Sequence, residues 1–159
     1  MAGIAGAVLA PTTETVSLEV LSFQRSADAL VILRPHPHEN HRTYENLISA
    51  FSPKNVSVHR EGSVTPWILQ SKAVLHRQCT TAIESALADK PAIAPQWMRT
   101  SSFAPDSETV SYLPQSPEET RELIAAALGS GLPLTGAQTA NRDRIIETWL
   151  HRMDGDSHQ

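Results

Sequence analysis

Short aliphatic runs alternate with helix-like segments along most of this 159-residue chain. The runs at 29–33, 55–59, 73–76 and 91–94 predict buried strands, and TVSYL at 109–113 predicts a fifth. Repeated strand–helix–strand units with short connections are typical of a parallel sheet with helices on both faces. We therefore expect the α/β class: a three-layer, Rossmann-like domain with a parallel sheet of about five strands.

Helix start and stop signals lie between the strands. Asn40 is the expected N-cap of a helix whose apolar residues recur at i, i+3, i+4 and i+7: Tyr44, Leu47, Ile48 and Phe51. Thr65 and Pro66 are the cap and first residue expected of a short helix over 63–70, and another helix is expected over 79–90. The first three strands are thus each followed by a helix.

The clearest helix signals lie in the segment 116–129. Ser116 and Glu119 have the spacing of a capping box, Pro117 takes the first helical position, and Gly129 ends the helix.

Beyond this helix we expect one more, over 141–153, with a buried face formed by Ile145, Trp149 and Met153. The stretches 96–108 and 129–138 are predicted loops, and the first is long enough to be functional.

Composition and the start of the chain define the expected setting. The net charge of −4 does not suggest a nucleic-acid partner, and the single cysteine, Cys79, fits a reducing cytoplasm. The apolar start lacks the basic region of a signal peptide and is too short to span a bilayer. We expect a cytoplasmic protein with an arm and helix over 1–28, the Rossmann-like domain over 29–153 and a disordered tail over 154–159.

Unusual polar residues follow three of the predicted strands directly, at 34–37, 60–63 and 76–81. Ligands of parallel α/β sheets bind beyond the carboxyl ends of the strands. We therefore expect one cleft at this edge, in which these side chains converge: Arg34, His36, Thr80, Thr81 and Glu84.

The third turn has the chemistry of an anion site. Cys79, Thr80 and Thr81 start a helix directly after a strand, where free backbone N–H groups point outward. Glu84 lies one turn deeper on the same face, which matches the span from a pyrophosphate to ribose hydroxyls. The alternative is that Thr80 caps the helix and Glu84 is a solvated surface residue; the sequence leaves both open.

Other side chains near these turns also have two interpretations. Arg34 could form an internal salt bridge or contact a phosphate, and His76 could be a core histidine or a wall of the site. Trp67 is interpreted as core rather than a stacking platform, and Cys79 as a small buried residue. His38 and His41 are expected to be solvated.

A metal site made of His36, His38 and His41 is not predicted. The intervening prolines account for the cluster, and no acid-rich partner set accompanies it.

Three motifs occur in order: VILRPHPHEN, EGSVTPWI and VLHRQCTTAIESALADKPAI. Together they resemble the carboxyl-terminal domain of bacterial surface-carbohydrate biosynthesis proteins, which have a GT-B-like glycosyltransferase fold. The layout is also similar to the UDP-N-acetylglucosamine 2-epimerases and to Kdo transferases with a His-Pro motif. The resemblance covers residues 29–94, with weaker agreement through the last helix, and implies the carboxyl-terminal half of a GT-B fold.

The resemblance also implies roles for individual residues. His36 and Pro37 match the His-Pro motif that contacts the nucleotide phosphate. Cys79 and Thr80 take the positions of the glycine pair that holds phosphate in the epimerases, and Glu84 that of the acid that holds ribose. Cys-Thr in place of two glycines departs from the epimerases and favours the surface-carbohydrate group.

The remaining predicted site residues complete the nucleotide-binding edge. Arg34 and Thr81 are assigned to phosphate binding, and Gly62 and Ser63 to the turn along which the nucleobase lies. No catalytic residue is assigned.

A GT-B enzyme has two Rossmann-like domains with the active site between them, and this chain has room for one. The resemblance therefore implies the donor-binding domain of a glycosyltransferase of bacterial surface polysaccharide biosynthesis, without its acceptor domain. Alternatives are a non-catalytic nucleotide-sugar-binding or structural fragment, and an epimerase-like fragment. The expected ligand is a nucleotide sugar rather than a permanently bound cofactor. Expected partners are a separate amino-terminal half or a second copy, with membrane association only through such a partner.

Overall fold

The strands of the protein form parallel sheets. A computed structural model describes residues 8–9, 30–35, 40–52, 55–98, 100 and 103–150. In this part of the chain the strands are β1 (Val8–Leu9), β2 (Val31–Leu33), β3 (Val56–Val58), β4 (Val74–Leu75), β5 (Ala92–Ile93) and β6 (Ser111–Tyr112). The hydrogen-bonded orders are β1-β2-β3 and β4-β5-β6, and every pair is parallel. Cα atoms of β1 and β4 lie within 8 Å, so the two sheets adjoin at these strands, and the order read across both is 3-2-1-4-5-6, as in a doubly wound, Rossmann-like fold.

Six α-helices alternate with the strands in the described residues. They are α1 (His41–Phe51), α2 (Thr65–Gln70), α3 (Thr81–Leu87), α4 (Pro105–Thr109), α5 (Pro117–Leu128) and α6 (Gly136–Ile145), the last of which continues as a π-helix over Ile146–Leu150. None of the helices that the structure describes is both long and apolar enough to cross a membrane.

The helices lie on both faces of the sheet. One core cluster joins the sheet to α1 and α5 and includes Leu75, Ile93, Tyr44 and Ala127. On the other face, two clusters join it to α2, α3 and α6 and include Val74, Ile68, Ala92, Ala82 and Ile145. Neighbouring residues of a strand point to opposite faces, so even the two-residue strands β4 and β5 contribute to both sides. The predicted α/β class with three layers is confirmed.

The number of strands differs from the predicted five. Val8 and Leu9 belong to the predicted amino-terminal arm, but in the structure they pair in parallel with Ile32 and Leu33 and form strand β1. Two residues are too few to show the alternation or the apolar run by which a strand is predicted. The helix expected within the first 28 residues lies outside the described part of the chain, as do residues 154–159.

Side-chain caps fix several helix starts. Asn40 accepts the Arg42 N–H and caps α1, as predicted. Ser116 accepts the Glu119 N–H and caps α5, also as predicted. The second half of the expected capping box is different, because the Glu119 carboxylate accepts the N–H of Gln115 rather than that of Ser116. Both contacts satisfy N–H groups that would otherwise lack a partner at the helix start.

The region before α5 differs from the predicted long loop followed by a strand. Pro105–Thr109 forms α4, and the strand is confined to Ser111–Tyr112. Pro105 suits the first turn of a helix, and the Ser107 hydroxyl reinforces that turn by donating to the Ala104 carbonyl at 2.6 Å. The β propensity of residues 109–113 predicts a strand over that whole range, but these local contacts continue the helix to Thr109.

The last helix begins earlier than predicted. A capping box of Thr135 and Gln138 starts α6 inside the stretch interpreted as a loop. Ile145 is buried as expected, whereas Trp149 is 59% exposed. The π-helical turn after Ile145 explains this difference, because its wider turn removes a residue at i+4 from the face that an α-helix would give it. Met153 lies outside the described residues.

Candidate functional site

The predicted site residues lie after strands whose carboxyl ends share one edge of the sheet. The turns after β2 and β3 lie at one edge of their sheet because these neighbours are parallel, and the turn after β4 lies at the carboxyl end of the adjoining sheet, whose strand β4 comes within 8 Å of β1. The strand order reverses between β1 and β4, which is where a crevice opens in doubly wound folds. His36, Pro37 and His38 lie outside the described residues; His41 is the first residue of α1.

Arg34, directly after β2, is hydrogen-bonded to the backbone of the turn after β3. Its two terminal nitrogens donate to the backbone carbonyls of Glu61 and Gly62, both at 2.7 Å. Partial burial lowers the pKa of Arg34 below its ordinary value, although a guanidinium stays charged at neutral pH. Within the described residues Arg34 thus binds backbone carbonyls rather than forming the suggested salt bridge, and its phosphate contact stays a prediction. Arg34 and Gly62, two predicted site residues, are therefore brought together.

The turn after β3 has a shape that glycine favours. Gly62 has a φ of 76°, in the left-handed region, as expected of a turn residue. The Ser63 hydroxyl accepts the Thr65 N–H at 3.2 Å and donates to the Thr65 hydroxyl at 3.0 Å. Thr65 is therefore not the N-cap of α2, because it is already inside the helix and Val64 takes the N-cap position. The side chain that accepts an N–H group at the helix start is that of Ser63.

Trp67 of α2 flanks this turn. Its ring lies 4.6 Å from that of His59, centroid to centroid, and it packs against the buried pair Ile68 and Val74. The interpretation of Trp67 as a core residue agrees with this packing.

His76 ends β4 and is buried, with 3% of its surface exposed. Its Nδ1 accepts the Cys79 N–H at 3.4 Å, so the proton of the neutral ring is on Nε2. Nε2 donates to the Ser111 hydroxyl at 2.8 Å, and that hydroxyl donates to the Ser107 carbonyl at 2.6 Å. Burial, aided by the charge of Arg77, lowers the pKa of His76 to about 4. His76 is therefore a core histidine beneath the turn rather than a wall of the site.

The next two residues also bind the segment around α4. Arg77 donates to the Met98 carbonyl at 2.7 Å and to the Glu108 carboxylate at 2.6 Å. Gln78 accepts the Ala104 N–H at 2.6 Å. Burial opposes ionisation of Glu108, but hydrogen bonds led by that of Arg77 outweigh it and hold the pKa of this carboxyl below its ordinary value.

Cys79, Thr80 and Thr81 lie where the sequence placed them, between β4 and α3. The Cys79 thiol lies 3.1 Å from the Thr81 hydroxyl, and Cys79 is half-buried. Thr80 is exposed and its hydroxyl makes no capping hydrogen bond, so the structure shows no capping role for that side chain.

Glu84 is an exposed residue in the first turn of α3. The surrounding protein nevertheless removes enough water from its carboxylate to raise the pKa of Glu84 above the ordinary value. A carboxyl group at this edge is available to a ligand, since α3 holds it on the same face as Thr80 and Thr81.

The described contacts gather the predicted residues into two groups, one after β2 and β3 and the other after β4. One consists of Arg34, Gly62 and Ser63, and the other of Cys79, Thr80, Thr81 and Glu84. Sequence reasoning missed the contacts that hold the second group, because His76 and Arg77 bind residues that lie more than 30 positions further along the chain. Across the residues described, no three His, Cys, Asp or Glu side chains are grouped as a metal site would require.

No protein-family model matches this chain, and no curated protein matches it either. The fold does match solved structures. S. aureus TarM, in a mutant complex with Fondaparinux, alpha-GlcNAc-glycerol and UDP, gives a TM-score of 0.61 at 14% identity over 92% of this chain and 32% of TarM. The UDP-GlcNAc 2-epimerase from Neisseria meningitidis, bound to UDP-GlcNAc, gives 0.61 at 12% identity over 96% of this chain and 45% of the epimerase.

A third similar structure is the UDP-GlcNAc 2-epimerase from Methanocaldococcus jannaschii, with a TM-score of 0.60 at 15% identity over 96% of this chain and 47% of that one. The chain thus spans less than half the length of these proteins. At such identities the likeness shows the fold alone: this chain has the Rossmann-like fold found in GT-B glycosyltransferases and UDP-GlcNAc 2-epimerases.

Proposed function

We propose that this chain binds a nucleotide sugar at the carboxyl edge of its sheet, as the donor-binding half of a GT-B-type glycosyltransferase. The observation that carries the proposal is the strand order 3-2-1-4-5-6, which places the turn after β4 at the reversal between β1 and β4. Ligands of doubly wound folds bind at this point. Exposed Thr80 and Glu84 are at that turn.

The similar structures support a nucleotide diphosphate as the core of the ligand. TarM is in complex with UDP, and the Neisseria epimerase is bound to UDP-GlcNAc. Nearly all of the present chain superimposes on part of each of these two proteins. We therefore propose a nucleotide sugar as the ligand of the site at this edge.

Within the proposed site the residues have distinct tasks. Glu84 binds the ribose hydroxyls, and the turn of Cys79, Thr80 and Thr81 meets the phosphates. Gly62 and Ser63 border the nucleobase. Arg34 holds their turn through the carbonyls of Glu61 and Gly62, so its contribution to binding is made through the backbone that it fixes.

His36 and Pro37, which match the His-Pro motif, are proposed to contact the nucleotide phosphate. A role in bacterial surface polysaccharide biosynthesis belongs to the same proposal and rests on the resemblance of the three sequence motifs.

Sugar transfer is proposed to require a second half. The chain corresponds to 32% of TarM and 45% of the Neisseria epimerase, and GT-B active sites lie between two domains. A second Rossmann-like half would supply the acceptor side. An epimerase-like fragment is the second candidate, because the likeness to the Neisseria epimerase is as high as that to TarM.

Ligand binding by the purified chain tests the proposal. Thermal unfolding is measured with UDP, UDP-GlcNAc, other nucleoside diphosphates and their sugars, and with uridine and inorganic phosphate as controls. A ligand at a hundred times its Kd adds about 2.7 kcal/mol to the free energy of unfolding. We expect stabilisation by at least one diphosphate ligand and none by uridine. If no nucleotide at millimolar concentration changes the melting temperature, the proposal is wrong.

A further inference from the structure

Three consecutive side chains after β4 each bind a different point of one segment, residues 104–111. His76 donates to the Ser111 hydroxyl at 2.8 Å, Arg77 to the Glu108 carboxylate at 2.6 Å, and Gln78 accepts the Ala104 N–H at 2.6 Å. The segment contains the whole of α4 and the first residue of β6. We call these three contacts the buttress.

The buttress is shielded from water fully at His76 and partly at its other two contacts. Ser107 and Ser111 are buried with His76, whereas the Arg77 and Glu108 side chains are 10% and 23% exposed and Gln78 is half-buried. Shielded hydrogen bonds are stronger and more directional than exposed ones, and losing one partner leaves a buried polar group unsatisfied. Each contact therefore constrains the position of the β4 end relative to α4.

The buttress also holds an unfavourable backbone conformation. Gln78 has a φ of 54°, in the left-handed region, which costs energy for a residue with a Cβ atom. The Ala104 N–H binds the Gln78 side chain on one side, and the Cys79 N–H binds His76 on the other. The strained residue is thus fixed on both sides, directly before Cys79 and Thr80.

We propose that the buttress positions the turn of Cys79 and Thr80 for the ligand, which makes His76, Arg77, Gln78 and Glu108 positioning residues of the nucleotide-sugar site. This inference rests on the proposed function, since it concerns the same site. The residues themselves act through the turn: a hydrogen-bonded network that fixes Gln78 at positive φ also fixes where the Cys79 and Thr80 backbone lies. Loss of a buttress contact would therefore weaken ligand binding from beneath the site.

Two variants of α4 separate this role from general stability. Glu108→Gln removes the charge that faces Arg77, whereas Asp106→Asn removes a charge on the same helix that faces Arg144 at 3.8 Å and takes part in none of the three buttress contacts. UDP affinity is measured by calorimetry well below the melting temperature of each variant. We expect Glu108→Gln to weaken UDP binding by roughly three- to thirtyfold and Asp106→Asn to leave it unchanged.

A third variant changes the backbone and the contact together. Gln78→Gly relieves the positive φ, which stabilises the fold, but leaves the Ala104 N–H without its acceptor, which destabilises it, so the two effects on the melting temperature oppose each other. The buttress predicts weaker UDP binding in this variant, measured well below its melting temperature, whereas a residue with a purely structural role would leave the UDP affinity unchanged there. Gln78→Gly also keeps the inference testable if Glu108→Gln fails to fold.

The outcomes distinguish the inference from the proposed function. Wild-type protein that binds no UDP or other nucleotide overturns the proposed function, and the ligand role of the buttress with it. If the wild type binds UDP and both Glu108→Gln and Gln78→Gly bind it with the same affinity, the positioning role of the buttress is wrong, whereas the proposed function still stands.

Discussion

The guanidinium of Arg34 donates to the carbonyl oxygen of Gly62 at 2.7 Å, across 28 residues of chain. The adjacent carbonyl oxygen of Glu61 accepts a hydrogen bond from the other terminal nitrogen at the same distance. One side chain thus fixes two consecutive peptide groups of a turn, which a single-point contact could not do. The turn that is proposed to border the nucleobase is held in place by the strand next to it.

Arg34→Lys tests this clamp. Lysine keeps the charge but lacks the planar fork that binds two carbonyls at once, so we expect the free energy of unfolding to fall by about 1 kcal/mol. Nucleotide affinity should fall by roughly three- to tenfold, because the turn is less well fixed. Arg121→Lys, which alters an exposed pair with Glu118, is the control. Unchanged nucleotide affinity in Arg34→Lys would contradict a role of the clamp in binding.

Gly62→Ala should destabilise the protein through its backbone conformation alone. Apart from the adjacent residues, no atom of the described part of the chain lies within 4 Å of a Cβ added there, so the expected loss of about 1–2 kcal/mol comes from the φ of 76°. Gly136, at the start of α6, is equally open but has no positive φ, and alanine there should be neutral or stabilise the helix by up to about 1 kcal/mol. Urea unfolding of both variants measures the difference; equal effects would refute the explanation.

Glu84→Gln keeps the shape of the side chain and removes its charge. If the carboxylate binds the ribose hydroxyls, nucleotide affinity should fall by roughly ten- to a hundredfold, since charge-assisted hydrogen bonds are lost. The melting temperature should hardly change, because Glu84 is exposed. Glu122→Gln, on exposed α5 surface, should change neither property. Equal affinities of Glu84→Gln and wild type would remove Glu84 from the site.

The low pKa of His76 predicts a loss of stability in acid. Burial and the charge of Arg77 lower this pKa to about 4, against the partial opposition of Glu108, while the unfolded chain keeps a value near 6.5. Between those two values the unfolded state binds a proton that the folded state does not. The free energy of unfolding should therefore fall by about 1.4 kcal/mol per pH unit from pH 6.5 towards 4, and not change through this group above 6.5.

Comparison with His76→Asn isolates this effect from the titration of carboxylates. The variant should be less stable at pH 7 but should lose less stability than wild type between pH 6.5 and 4.5, as measured by urea unfolding. His59→Asn, at the end of β3, is the matched control. Parallel pH dependences of wild type and His76→Asn would show that His76 is not held neutral in the folded protein.

Local signals in the sequence were sufficient for much of the fold. Asn40, Ser116 and Pro117 mark helix starts that the structure confirms, and the aliphatic runs mark β2 to β5. The start of α6 was missed although its signal is present, since Thr135 and Gln138 have capping-box spacing within a stretch whose three glycines and one proline are typical of a loop.

Features that depend on distant partners could not be predicted. The pairing of Val8 with Ile32 and the contact of His76 with Ser111 depend on tertiary neighbours that no local pattern specifies. The exposure of Trp149 depends on a π-helical turn, for which the sequence carries no simple period. At the site, residue types and strand ends were sufficient to place Gly62 and Thr80 in turns that follow β3 and β4, but not to show that Arg34 binds backbone.

The strand order has a consequence for how the sheet is assembled during synthesis. β1 precedes every other described strand, yet it lies in the middle, between β2 and β4. One side of β1 therefore stays open until Val74 and Leu75 have left the ribosome. β4, β5 and β6, by contrast, follow one another in the sheet as they do along the chain. Contacts between distant parts of a chain form more slowly than local ones, so closure of the centre is expected to be the late step in folding.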